Sequence, residues 1–150
     1  MPMSQRLMYV TALQSILGFP YIYGASGPTS FDCSGAVNFC LKNAGVNMQF
    51  RLDAAELYDF YHNNKVLLPA APMGSLCFYQ SLSTGKINHV MSILRMLDNG
   101  ERVVAGARGG DSTTVDIKTA VSQGALVSER YCSQYMPKQL VTICDPFIGQ

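Results

Sequence analysis

The hydrophobic period of this chain changes once along its length, and that change constrains the fold more than any other feature. Up to about Tyr61 apolar residues recur at helical spacing, whereas beyond Pro69 and Pro72 they gather in short runs bounded by turn residues. Residues 4–17 carry Leu7, Val10, Leu13 and Leu17 on one stripe, with Ser4 as N-cap and Gly18 then Pro20 as the stop. In residues 33–44 the apolar positions are 33, 36, 37, 40, 41 and 44, a single buried stripe closed by Gly45. Asp53-Ala54-Ala55-Glu56 reads as a capping box opening a third helix through about Tyr61, which Asn63 and Asn64 end. Residues 76–79, 89–97, 102–107, 125–131 and 140–143 read as strands, and Asn99-Gly100 between two of them is a hairpin turn. Helices first and strands after them predict an α+β fold, with N-terminal helices packed on a central antiparallel sheet.

Composition bounds the rest. At 150 residues the chain is read as one domain over 1–150. Hydrophobic residues at 48% against charged residues at 14% exclude a disordered chain. A net charge of +1 gives no field to capture nucleic acid or anionic lipid. No apolar run reaches the roughly 18 residues of a membrane span. The opening residues, through Arg6, carry no apolar signal core and no small-residue cleavage site, so Sec export is not expected. The five cysteines are odd in number and widely spaced, without a Cys-x-x-Cys pair, and only two histidines accompany them. Neither a metal site, nor another cofactor, nor a disulfide framework is expected.

One cysteine stands apart by its surroundings. Cys33 follows a loop rich in Gly and Pro (residues 19–30) and opens the second helix. Unpaired amides in a helix's first turn favour negative charge, which lowers a thiol's pKa, and they can hold an oxyanion during acyl transfer. Such a nucleophile needs a base, and the candidates are His62, late in the third helix, and His89, at the start of a strand; the strand position favours His89. Cys33 reads equally well as one more apolar residue on its stripe, and His89 as a strand-end histidine bonded to a carbonyl. Cys40, Cys77, Cys132 and Cys144 read as core, and Arg108-Gly109-Gly110-Asp111 as a turn.

Phe19-Pro20-Tyr21-Ile22-Tyr23-Gly24 followed by Phe31-Asp32-Cys33-Ser34-Gly35 resembles the signature of the NlpC/P60 family, papain-like cysteine endopeptidases of bacterial cell walls. Further landmarks follow in order. Arg51-Leu52-Asp53-Ala54-Ala55-Glu56-Leu57-Tyr58 resembles the family's arginine-led helix start, and Met73-Gly74-Ser75-Leu76-Cys77-Phe78-Tyr79 its Pro-Gly-Asp-Leu-x-Phe-Phe strand. Asn88-His89-Val90-Met91-Ser92-Ile93-Leu94 resembles its His-Val-Gly-Ile-Tyr strand. The resemblance runs over about residues 5 to 131. It implies a papain-like fold with Cys33 as nucleophile, His89 as base and Tyr21 beside the oxyanion hole. It also implies that Asp32, Ser34 and Tyr23 line the substrate pocket, Asp32 and Ser34 at the free amine end of a peptide stem. The implied reaction hydrolyses the γ-D-glutamyl–diamino acid bond of peptidoglycan stem peptides.

Two positions depart from the pattern. The family's third polar residue, which orients the histidine, falls on Ala105 or Gly106, neither of which has a polar side chain, so that role is unassigned; water, a backbone carbonyl, Arg108 or Asp111 are the substitutes considered. Ser75 replaces the Asp of the Gly-Asp turn and is read as structural. The alternatives kept open are a catalytically weak or inactive wall- or tail-binding module of the same fold, and an amidase or acyltransferase of the papain-like class. The expected partner is a peptidoglycan stem peptide, alongside phage tail or lysis components. The expected location is cytoplasmic until release, virion-associated, or delivered to the wall.

Overall fold

Capping decides where each helix begins. The structure, a computed structural model, describes residues 3–149. Helix α1 (Gln5–Ser15) starts where the Ser4 side chain accepts the Leu7 amide. Helix α2 (Cys33–Asn43) starts where Asp32 accepts the Gly35 amide at 2.7 Å. Helix α3 (Ala54–Tyr61) opens with the reciprocal Asp53–Glu56 capping box. After a 3-10 turn at His62–Asn64 come β1 (Lys65–Val66), β2 (Leu76–Gln80), β3 (Ile87–Met96) and β4 (Arg102–Arg108). Then follow helix α4 (Ile117–Gln123), β5 (Leu126–Tyr131) and β6 (Leu140–Cys144). The strands form one antiparallel sheet in the order β1-β6-β2-β3-β4-β5. The α+β expectation, with its helices on an antiparallel sheet, holds.

Alternation along the strands builds two cores. Leu76 and Phe78 of β2, Val90 and Leu94 of β3, and Ala105 and Ala107 of β4 face the helices, against Leu13, Leu41 and Leu57. Cys77, Tyr79, Met91, Ile93 and Val104 face the other way and are covered by the chain between β5 and β6, which brings Cys132, Tyr135 and Met136 onto that face. Helix α2 is buried nearly all round, including Ser34, Gly35 and Asn38, because it is wedged between α1 and strands β3 and β4. Asn38 makes this tolerable by bonding both the amide and the carbonyl of Leu52. All five cysteines are buried free thiols, and among the described residues no helix is long and apolar enough to cross a membrane.

Two details differ from the sequence reading. The buried face of α1 is Tyr9, Ala12, Leu13 and Ile16, whereas Leu7 is exposed. Tyr9 can be buried because its hydroxyl meets the Ser92 hydroxyl at 2.7 Å. Helix α4 carries no apolar stripe, since Ile117 and Val121 face solvent and only Ala120 is buried. Its ends show instead in the caps, Asp116 bonding the Thr119 amide and Gly124 in the left-handed region at φ +64°.

Candidate active site

Cys33 occupies the first position of α2, and its placement follows from the residues around it. Asp32 caps the helix while its carboxylate also takes the Gly24 amide at 2.9 Å, the Ser34 hydroxyl at 3.2 Å and the Arg51 guanidinium. This binds the preceding loop, the helix and the segment before α3 into one unit. Gly35 is obligatory there, because a Cβ would lie 1.8 Å from the Ala25 carbonyl oxygen. The cap fixes Cys33 against β3, where the nearby amides of Val90 and Ser34 favour the thiolate.

A cleft of about 520 Å³ lies in front of this sulfur. Tyr21, Tyr23 and Cys33 line it together with Asn88, His89, Arg108 and Tyr135, and with Gly109, Gly110 and Asp111. Gly110 is needed for closeness, since a Cβ would fall 2.4 Å from the Tyr21 ring. Tyr21 is buried and Tyr23 is exposed at the lip. The structure thus brings together Tyr21, Tyr23, Cys33 and His89. His62 stands apart as an exposed residue at the end of α3, with Nδ1 against the Asp59 carbonyl at 2.7 Å. Asp32 and Ser34, both buried, are not among the residues lining the cleft, and the Asp32 carboxylate is engaged by the helix cap, the loop and Arg51.

The electrostatics invert the sequence expectation of an acidic thiol. Burial, then the neighbouring Asp32 carboxylate, push the Cys33 thiol up to about 11, and the amides of Val90 and Ser34 and the Arg51 cation only moderate that. Burial and the Arg108 cation lower His89 to about 4. The resting pair is therefore a neutral thiol and a neutral imidazole. Tyr21 is pushed further into its neutral phenol form, first by burial and then by Cys33 and Asp32. Nearby, the Asp111 carboxylate takes the Thr113 amide and hydroxyl. Among the described residues no three His, Cys, Asp or Glu side chains gather to hold a metal. A second depression, of about 460 Å³ over β4 and β5, holds the Arg95–Glu129 ion pair and no nucleophile.

Sequence reasoning missed part of the lining. Arg108, Gly109 and Gly110 read as a turn, yet they border the cleft, and Tyr135 carried no signal because it lies in the irregular stretch before β6. The double glycine after an arginine at a strand end was the available clue.

The model of the NlpC/P60 family matches residues 18–142. The chain belongs to the NlpC/P60 family. No curated protein gives a significant match. Among solved structures, an NLP/P60 family protein similar to a lipoprotein, from Staphylococcus aureus, shares 22% identity at a TM-score of 0.67, with 96% of this chain covering 43% of that one. The NlpC/p60 domain of the peptidoglycan hydrolase SagA shares 17% at a TM-score of 0.63, over 93% and 97% of the two chains. RipD from Mycobacterium tuberculosis, a non-catalytic NlpC/p60 domain protein adapted to peptidoglycan binding, shares 16% at a TM-score of 0.64, over 97% and 99%. The chain spans less than half the length of the staphylococcal protein. It has the NlpC/P60 fold, one that peptidoglycan hydrolases and a non-catalytic relative share.

Proposed function

We propose that this NlpC/P60 chain is a cysteine endopeptidase of peptidoglycan stem peptides that cleaves the γ-D-glutamyl–diamino acid bond. The supporting observation is that Cys33, at the head of a helix, and His89, at the start of a strand, line one cleft with Tyr21 on its wall. Because both groups rest neutral, the thiol proton moves to His89 as the sulfur attacks the carbonyl carbon. The carbonyl π electrons go to its oxygen, which the first-turn amides of α2 and the Tyr21 hydroxyl face. Collapse of that oxyanion breaks the C–N bond, and His89 gives its proton to the leaving amine. Water then attacks the thioester, losing a proton to His89 and releasing the acyl group with Cys33 restored as thiol.

Digestion of purified muropeptides with wild type and with Cys33→Ala tests this. Product from wild type alone supports the reading, and equal product from both removes Cys33 from the mechanism. Fragment masses identify the cut bond and so separate an endopeptidase from an amidase or acyltransferase. A second reading, a wall-binding module without turnover, is favoured by the lack of a polar side chain at Ala105 and Gly106. Muropeptide binding with no product across a broad pH range would select it. The phage-lysin or tail-associated setting stays part of this proposal, tested by whether added enzyme lyses intact walls from outside.

A further inference from the structure

Neither position where the family pattern places an orienting residue can serve His89. Ala105 pairs across from Ser92 and is buried in the helix-side core. Gly106 faces Met91, and a Cβ there would lie 2.8 Å from the Met91 sulfur. Met91 itself stands where the family strand has glycine. The volume on the two strands is thus exchanged: a large side chain on β3 fills the space that an orienting side chain on β4 would need.

Another group reaches the imidazole. The Tyr135 hydroxyl and Nε2 of His89 share a hydrogen bond of 2.8 Å. The two rings lie 5.8 Å apart, and Tyr79 packs on both, at 5.5 Å from His89 and 5.4 Å from Tyr135. Tyr135 comes from the chain between β5 and β6, where the next residue, Met136, holds φ +46°, a conformation non-glycine residues adopt rarely and only when their surroundings impose it. The Arg108 guanidinium lies over the Tyr135 ring, 5.8 Å from its centroid.

We propose that Tyr135 is the positioning residue of His89, its hydroxyl oxygen accepting the Nε2 hydrogen and so leaving the Nδ1 lone pair to take the Cys33 proton. The assignment rests on the endopeptidase reading above. A histidine whose second nitrogen is held keeps one tautomer and one ring orientation, which is the service an orienting group performs in such pairs. Here the service passes from a neighbouring strand to a loop residue on the sheet's second face. When the Cys33 proton arrives at Nδ1, the phenol oxygen faces the positive charge on the ring, and the proton leaves with the amine.

Tyr135→Phe tests this, since it keeps the ring against Tyr79 and removes only the hydroxyl. Muropeptide hydrolysis is expected to lose about 10- to 100-fold in kcat, with KM within about twofold. Tyr135→His, which restores an acceptor, is expected to recover part of that loss. Nitrogen-detected NMR of the His89 ring gives a readout independent of turnover: the Nε2–H tautomer in wild type, a tautomer mixture in Tyr135→Phe. An unchanged kcat together with an unchanged tautomer in Tyr135→Phe overturns the assignment, as does a dominant Nδ1–H tautomer in wild type. If wild type shows no Cys33-dependent cleavage, the endopeptidase reading is what fails. The NMR arm then decides Tyr135 alone: a tautomer that depends on its hydroxyl supports the positioning role, and identical spectra remove it.

Discussion

At Cys33 two influences oppose each other, and the structure shows which wins. The helix start and its amides favour a thiolate, but burial and the Asp32 carboxylate outweigh them and hold the thiol near 11. Alkylation by iodoacetamide is therefore expected to be slow at about pH 7 and to climb as pH rises toward that value, because only the thiolate reacts. A rate already at its plateau in neutral solution would show instead a preformed thiolate–imidazolium pair. Asp32 has the opposite effect on stability. It bonds two backbone amides, a hydroxyl and Arg51. Asp32→Ala is expected to cost about 2–4 kcal/mol in chemical denaturation, through the lost cap and the buried donors left without a partner. The sequence showed Cys33 at a helix start and His89 at a strand start, but not the direction in which the thiol is shifted. That depends on burial and on a carboxylate whose position is fixed only by tertiary structure.

Among the elements, α2 and the loop before it carry the site. Their contact is made through glycine, so Gly35→Ala is expected to destabilise the fold by more than about 3 kcal/mol, as a Cβ would meet the Ala25 carbonyl, a backbone atom that has nowhere to go. A thermal melt reads it directly, and a Tm within a degree or two of wild type would mean the loop is free to move. Helices and strands with a regular apolar period were legible in advance: α2 and α3 begin where their caps say, and β2 to β6 fall where the apolar runs do. Helix α4 was not, because its one buried residue, Ala120, leaves no stripe to read. The face of α1 was misplaced because Tyr9 buries a polar atom whose partner, Ser92, lies far along the sequence. For the same reason Tyr135 was invisible: its hydrogen bond to His89 joins residues 46 apart in the chain, and nothing local marks it.

For the molecule as a whole, the buried neutral imidazole links stability to pH. His89 has an ordinary value of 6.5 and is lowered to about 4 in the fold, by burial and then by Arg108. Between those values the unfolded chain binds a proton that the folded chain refuses, so stability falls as pH drops from about 6.5 toward 4. The contribution is on the order of 2–3 kcal/mol at the acid end. Wild type is expected to lose Tm across that window relative to His89→Gln, and parallel curves for the two proteins would contradict the link. The two cores either side of the sheet meet at the cleft, helix-side residues presenting Cys33 and the second face presenting His89 and Tyr135. The most direct test of the account is to quench wild-type protein with acid during muropeptide turnover and map the covalent adduct by mass spectrometry. The account predicts the glutamyl-side fragment as a thioester on the peptide containing Cys33, absent from Cys33→Ala. Turnover that survives Cys33→Ala, or an adduct on any other cysteine, would contradict it.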